Sequence, residues 1–67
     1  MFIQINTTSG NTFTIDLDAI SHISDKADGT AFIHFFESGH DALHVKESTA
    51  VNLRKFIDEK LSITIIE

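Results

Sequence analysis

The side chains best equipped for chemistry are four histidines, His22, His34, His40 and His44, in a chain of 67 residues without cysteine, tryptophan or tyrosine. Imidazoles can ligate zinc, move protons or change charge with pH. Suppose Ala27-Asp28-Gly29 forms a three-residue loop with Gly29 as a bulge, and the next turn centres on Gly39. His22, His34 and His44 then stand side by side on three adjacent strands. Facing Cβ atoms in such a row are about 4.5–5.5 Å apart, within reach of one zinc ion. A two-residue turn at Asp28-Gly29 instead slips the register by one and sends His22 to the opposite face. The plainer reading is a set of ordinary imidazoles on an interface. No metal is assigned on that reading, and His22, His34 and His44 form the alternative ligand set. His40 and His44 stand four apart, but on a turn and a strand, where helical pairing does not apply.

Other letters of catalysis are present without its geometry. Ser38, His40 and Asp41 contain the residue types of a hydrolase triad, yet a base must point at its nucleophile while a third group orients it. In a turn these side chains more commonly bond the local backbone. Asp25-Lys26-Ala27-Asp28-Gly29 has the wrong acidic spacing for a calcium loop, and no downstream Glu completes it. Asp16 and Asp18 share a strand face and read as solvated acids. The three glycines are isolated turn residues, not a phosphate-binding loop. No catalytic residue and no cofactor are assigned, and the chain is expected not to be an enzyme.

The elements that position these residues follow from periodicity. Ile3 and Ile5 alternate with Phe2, Gln4 and Asn6, a first strand over about residues 2–7. Ser9-Gly10-Asn11 is turn chemistry. Phe13, Ile15 and Leu17 alternate with Thr12, Thr14 and Asp16 in a second strand. Asp18-Ala19 breaks the pattern, and a short turn or bulge is expected to lead through Ile20 and Ile23 into a third strand. Asp28-Gly29 is a hairpin signal. Thr30 to Phe36 reads as the fourth strand and Leu43 to Lys46 as the next. Ser48 is a candidate N-cap for a helix over about 49–60, with Ala50, Leu53, Ile57 and Leu61 on its apolar stripe. Ser-Ile-Thr-Ile-Ile at 62–66 reads as a last short strand, an apolar edge that invites association.

The expected fold is therefore α+β and mostly β: one domain over 1–67, an antiparallel meander of about five strands, one C-terminal helix packed on one face, and a short final strand. A chain this short buries only about 60% of its unfolded surface, so its core is thin. With no cysteine, disulfides and thiolate zinc sites are excluded. Ten acidic residues against five basic ones give a net charge of −5, which argues against direct nucleic-acid binding. No apolar run approaches the ~20 residues of a membrane helix. The opening residues read as a strand rather than a signal peptide, so a cytoplasmic location is expected.

One face is surplus to this plan. If Ile33 and Phe35 meet the helix together with Ile23, Leu43 and Val45, then Phe32, His34 and Phe36 lie on the opposite side. Leaving the two rings wet forgoes roughly 1.5–3 kcal/mol each. Self-association is expected, with Phe32, His34, Phe36, His22, His44, Ile63 and Ile65 as interface or ligand-lining residues. Protonating all four imidazoles would carry the net charge from −5 to −1 and weaken such an assembly in mild acid.

The layout resembles the small flagellar FlbD/SwrD-like proteins. The pieces that carry the resemblance are Gly10 to Phe13, Leu17 to Ile23, Asp28 to Ile33, and Val45-Lys46-Glu47-Ser48 before the helix. The segment from Glu37 to Asp41 is longer than in that family, and the histidine row and the Ile-rich C-terminus are additional. The resemblance implies the fold and a regulatory role, and it transfers no catalytic residue. The expected function is a homo-oligomeric interaction protein that modulates a partner, as a bacterial regulator of this type or a phage-encoded inhibitor. The alternative is an oligomer that sequesters a small ligand or nucleotide between subunits.

Overall fold

The computed structural model describes residues 1–37, 39 and 41–60, with the backbone alone at 59 and 60. Five strands and one helix follow in the order β1 (Phe2–Asn6), β2 (Thr12–Asp16), a 3-10 turn (Leu17–Ala19), β3 (Ile20–Asp25), β4 (Ala31–Phe35), β5 (Leu43–Val45) and α1 (Glu47–Lys60). The protein is α+β and mostly β, with every strand pair antiparallel. The expected final strand, with Ile63 and Ile65, lies outside the described residues, as do Ser38 and His40.

The meander divides into two sheets, β1-β2 and β3-β4-β5. The division falls where the alternation broke. Asp16 accepts from the Asp18 N–H at 3.1 Å and caps the 3-10 turn, which redirects the chain before β3 begins. A register shift between Ile20 and His22 completes the change of direction. Asp16 also stands 3.5 Å from the N-terminal ammonium, so its role is local and structural.

Two hairpins repeat one turn geometry. The Gly10 N–H donates to Thr7 O at 3.1 Å while Thr7 N–H donates to Asn11 O at 2.8 Å. The Gly29 N–H donates to Lys26 O at 3.1 Å while Lys26 N–H donates to Thr30 O at 2.8 Å. Each is a turn closed by a glycine bulge, with φ +88° at Gly10 and +91° at Gly29, a region that suits residues without a Cβ. The three-residue form of the Ala27-Asp28-Gly29 loop is thus the one adopted, and the two-residue form is not.

The core sits between the sheets and the helix. Ile5, Ala31, Ile33, Val45, Ala50 and Leu53 are buried, with Ile3, Ile15, Leu17, Ile20, Ile23, Phe35, Leu43 and Ile57 packed around them. Ile33 lies opposite Ile23 on one side and Leu43 on the other, which puts it at the middle of the three-stranded sheet. The helix begins at Glu47, earlier than a Ser48 cap would set. The Lys46 carbonyl accepts from Ala50 N–H at 3.0 Å, so Ser48 lies inside the first turn. An exposed pair of Arg54 and Asp25 at 2.8 Å ties the helix to β3, a link of at most about 1 kcal/mol. Among the described residues no helix is long and apolar enough to cross a membrane.

Candidate functional site

The face of β3-β4-β5 turned away from the helix carries a stripe of rings. The β3-β4 register places His22 opposite His34, and the two imidazoles stack with centroids 4.2 Å apart and planes 8° from parallel. This half of the histidine row is as the three-residue loop predicts. The other half is not. The β4-β5 register sets His44 opposite Phe32, two residues away from the pairing that a turn centred on Gly39 would give. A shift of two keeps every side chain on its face, so His44 stays in the stripe but stacks on Phe32, at 4.6 Å and 22°. Phe32 and His34 are 6.4 Å apart in a tilted arrangement and join the two stacks. Lys26 places its ammonium 5.4 Å from the Phe32 centroid, a cation–π contact of about 0.5–1 kcal/mol at an exposed site.

His44 is held by side chains that periodicity does not reveal. Its Nε2 is 2.7 Å from Thr30 Oγ1 and its Nδ1 is 3.1 Å from Thr8 Oγ1. Thr30 directs its hydroxyl proton to Asp28 Oδ1 at 2.6 Å, so the His44 Nε2–H must be the donor to Thr30. That fixes the neutral tautomer and leaves Nδ1 to accept from Thr8. A second link across the same junction is the Thr8 N–H donating to His44 O at 2.9 Å. The chain Asp28–Thr30–His44–Thr8 therefore laces the β3-β4 turn and β5 to the β1-β2 turn. His22 is oriented separately, by Ser21 Oγ at 3.0 Å from its Nδ1. Both nitrogens of His44 are engaged beside Phe32, and among the described residues no three His, Asp or Glu side chains converge as a metal ligand set. The geometry brings His22 and His34 together and leaves His44 out of that pair.

Thr30, donating from its hydroxyl and then from its backbone N–H, holds the Asp28 carboxyl below its ordinary value. A carboxyl depressed in the folded state stabilises that state at pH above its unfolded value. The contribution is lost as pH falls through the lower folded value. Thr30→Val removes the hydroxyl bond and keeps the backbone one. Asp28 should then titrate closer to an ordinary carboxylate, and the His44 ring should lose its fixed tautomer. Side-chain carboxyl and imidazole NMR titrations read both changes; an unchanged Asp28 curve would show that the hydroxyl does not set its acidity.

Beyond the stripe, Phe36 continues the alternation of Phe32 and His34 and is 74% exposed, while Phe32 is half-buried among the imidazoles. The Phe36 N–H donates to Ala19 O at 3.1 Å, so the β3-β4 ladder extends to it and presents its ring to solvent. The sheet does not curl enough to enclose both rings. The chain matches no family model, no curated protein and no solved structure.

Proposed function

We propose that this protein is a small non-enzymatic interaction protein that self-associates through the ring-bearing face of its three-stranded sheet and modulates a partner protein. The FlbD/SwrD-like resemblance makes a bacterial regulator one version, and a phage-encoded inhibitor is another. The observation that carries the reading is Phe36, exposed at the end of a stripe formed by Phe32, His34, His22 and His44. A ring so placed gains by being covered, and the adjoining flat stacks give a covering surface regular contacts. The alternative, a small ligand or nucleotide held between subunits, draws support from the same stacks and from Lys26 over Phe32.

Sedimentation of the wild type and of Phe36→Ser, with native mass spectrometry of the purified protein, tests both. The wild type should associate at micromolar concentration. Phe36→Ser should weaken that association roughly tenfold or more, because covering a Phe is worth about 1.5–3 kcal/mol. A wild type that stays monomeric at high concentration sinks the proposal. Co-purified small-molecule mass would turn it toward the ligand reading.

A further inference from the structure

A second surface, remote from the ring stripe in character, is the outer edge of β1. Leu17 N–H donates to Met1 O and Thr7 N–H donates to Asn11 O, both at 2.8 Å, so the odd residues of β1 turn their backbone groups toward β2. The even residues Phe2, Gln4 and Asn6 turn theirs the other way. Thr8, the next in that series, bonds across this outer side to His44 O, but β5 is only Leu43–Val45 and leads away into the helix. Among the described residues nothing takes up the outward amides and carbonyls of Phe2, Gln4 and Asn6. Beside them runs a groove of about 300 Å³, walled by Ile3 and Ile5 of β1 and by Leu53 and Phe56 of α1, with Thr49 and Asn52 at its rim.

Edge strands in soluble proteins are ordinarily guarded by Lys, Pro, a bulge or an inward charge. β1 has none of these: its register with β2 runs without interruption from Phe2↔Asp16 to Asn6↔Thr12. The first charged side chain of the sequence is Asp16, and all eight residues lining the groove are uncharged. In a chain of net charge −5 these uncharged residues let a second copy approach here without like-charge repulsion between groove linings.

We infer that β1 pairs with β1 of a second copy across a two-fold axis at Gln4, joining the two hairpins into one continuous sheet. In that register Gln4 faces its own counterpart and Phe2 faces Asn6 of the partner subunit. Each outward pair exchanges its N–H and C=O groups. Isologous pairing uses one patch twice, as the symmetric placing of the outward residues about Gln4 permits. The apolar Ile3 and Ile5 side chains of each copy then close the open side of the other's groove. This association is independent of the ring-bearing face and stands or falls apart from it.

Amide exchange on the full chain, followed by NMR over a wide range of protein concentration, tests the pairing. The Gln4 and Asn6 amides should be fast-exchanging when dilute and become protected as concentration rises. Gln4→Pro removes a donor that the hairpin does not use, at an edge position where proline is tolerated. It should weaken dimerisation about thirtyfold, the loss expected for both central backbone bonds, and leave Asn6 fast-exchanging. Gln4→Lys, which sets two like charges at the axis, should act in the same direction while the native spectrum is retained. Phe36→Ser should leave this protection unchanged. Exchange that stays fast at every concentration overturns the inference. So does protection already complete at the lowest concentration, because the edge would then be covered within one chain. A dimer indifferent to both Gln4 variants overturns it as well.

Discussion

Ile33→Ala is expected to cost about 2–5 kcal/mol, the range for truncating a buried Ile to Ala. Ile33 is fully buried at the centre of the three-stranded sheet, facing Ile23 and Leu43 in register and packed with Ala50 and Leu53 of the helix. Its neighbours Ala31 and Val45 are themselves fully buried, while Ile23 and Leu43 opposite it are partly buried, and how far these two relax sets the place within that range. At about 0.05–0.15 kcal/mol per residue, a domain of this length has only about 3–10 kcal/mol in total. The variant should therefore be partly unfolded at room temperature or lose most of its resistance to urea. Ile33→Val, which removes one methyl, should cost about 0.5–1.5 kcal/mol. Phe36→Ala should barely move the midpoint of the monomer, since its ring is already 74% exposed. Urea titrations followed by circular dichroism at one protein concentration give all three numbers. A loss below about 1 kcal/mol for Ile33→Ala would mean that the thin core is organised around other residues.

The sequence makes some of this arrangement legible and hides the rest for physical reasons. Alternation over Thr12–Asp16 and Ala31–Phe35 announces strands, and spacing at Ala50, Leu53 and Ile57 announces the helix and its buried stripe, because both patterns are set by local geometry. Asp28-Gly29 announces a turn, but a glycine at positive φ suits the two-residue and the bulged three-residue forms alike, so only the observed register places His22 against His34. The β4-β5 register is not legible in the same way. The segment between these strands offers several polar residues and no turn type that only one loop length can satisfy. Phe32 and His34 are therefore equally good partners for His44 by periodicity alone. Phe13 reads like Ile15 from its alternation, yet it is 40% exposed, since where the sheet ends relative to the helix is a tertiary matter. The lacing of His44 divides along the same line. Asp28-Gly29-Thr30 carries a local signal, an acid two residues before a donor in a turn. Thr8 meets His44 across 36 positions, and no local pattern predicts that contact.

Gly29→Ala is expected to be more damaging than Gly10→Ala, although the two glycines share nearly the same backbone conformation. At φ +88° and +91° an L-residue carries strain of about 1–2 kcal/mol at either position. A Cβ on Gly10 meets nothing within 4 Å, whereas one on Gly29 comes within 2.7 Å of Glu47 Oε2 and 3.3 Å of Glu47 Cδ. The helix terminus must give way, or the Glu47 side chain must swing out. The chain cannot escape by adopting the two-residue turn. That slip would turn His22 into the core and Ile23 out of it, burying a polar ring without a partner and exposing a packed apolar side chain. The strain should therefore appear as lost stability with the His22–His34 contact intact, not as a remodelled sheet. Removing the obstruction separates the two contributions. In a Glu47→Ala background, Gly29→Ala should cost no more than Gly10→Ala does in the wild type, and the coupling in the cycle measures the contact with Glu47. Equal losses for both glycines in the wild-type background would mean that Glu47 yields freely and that backbone strain alone makes glycine necessary beneath the ring stripe.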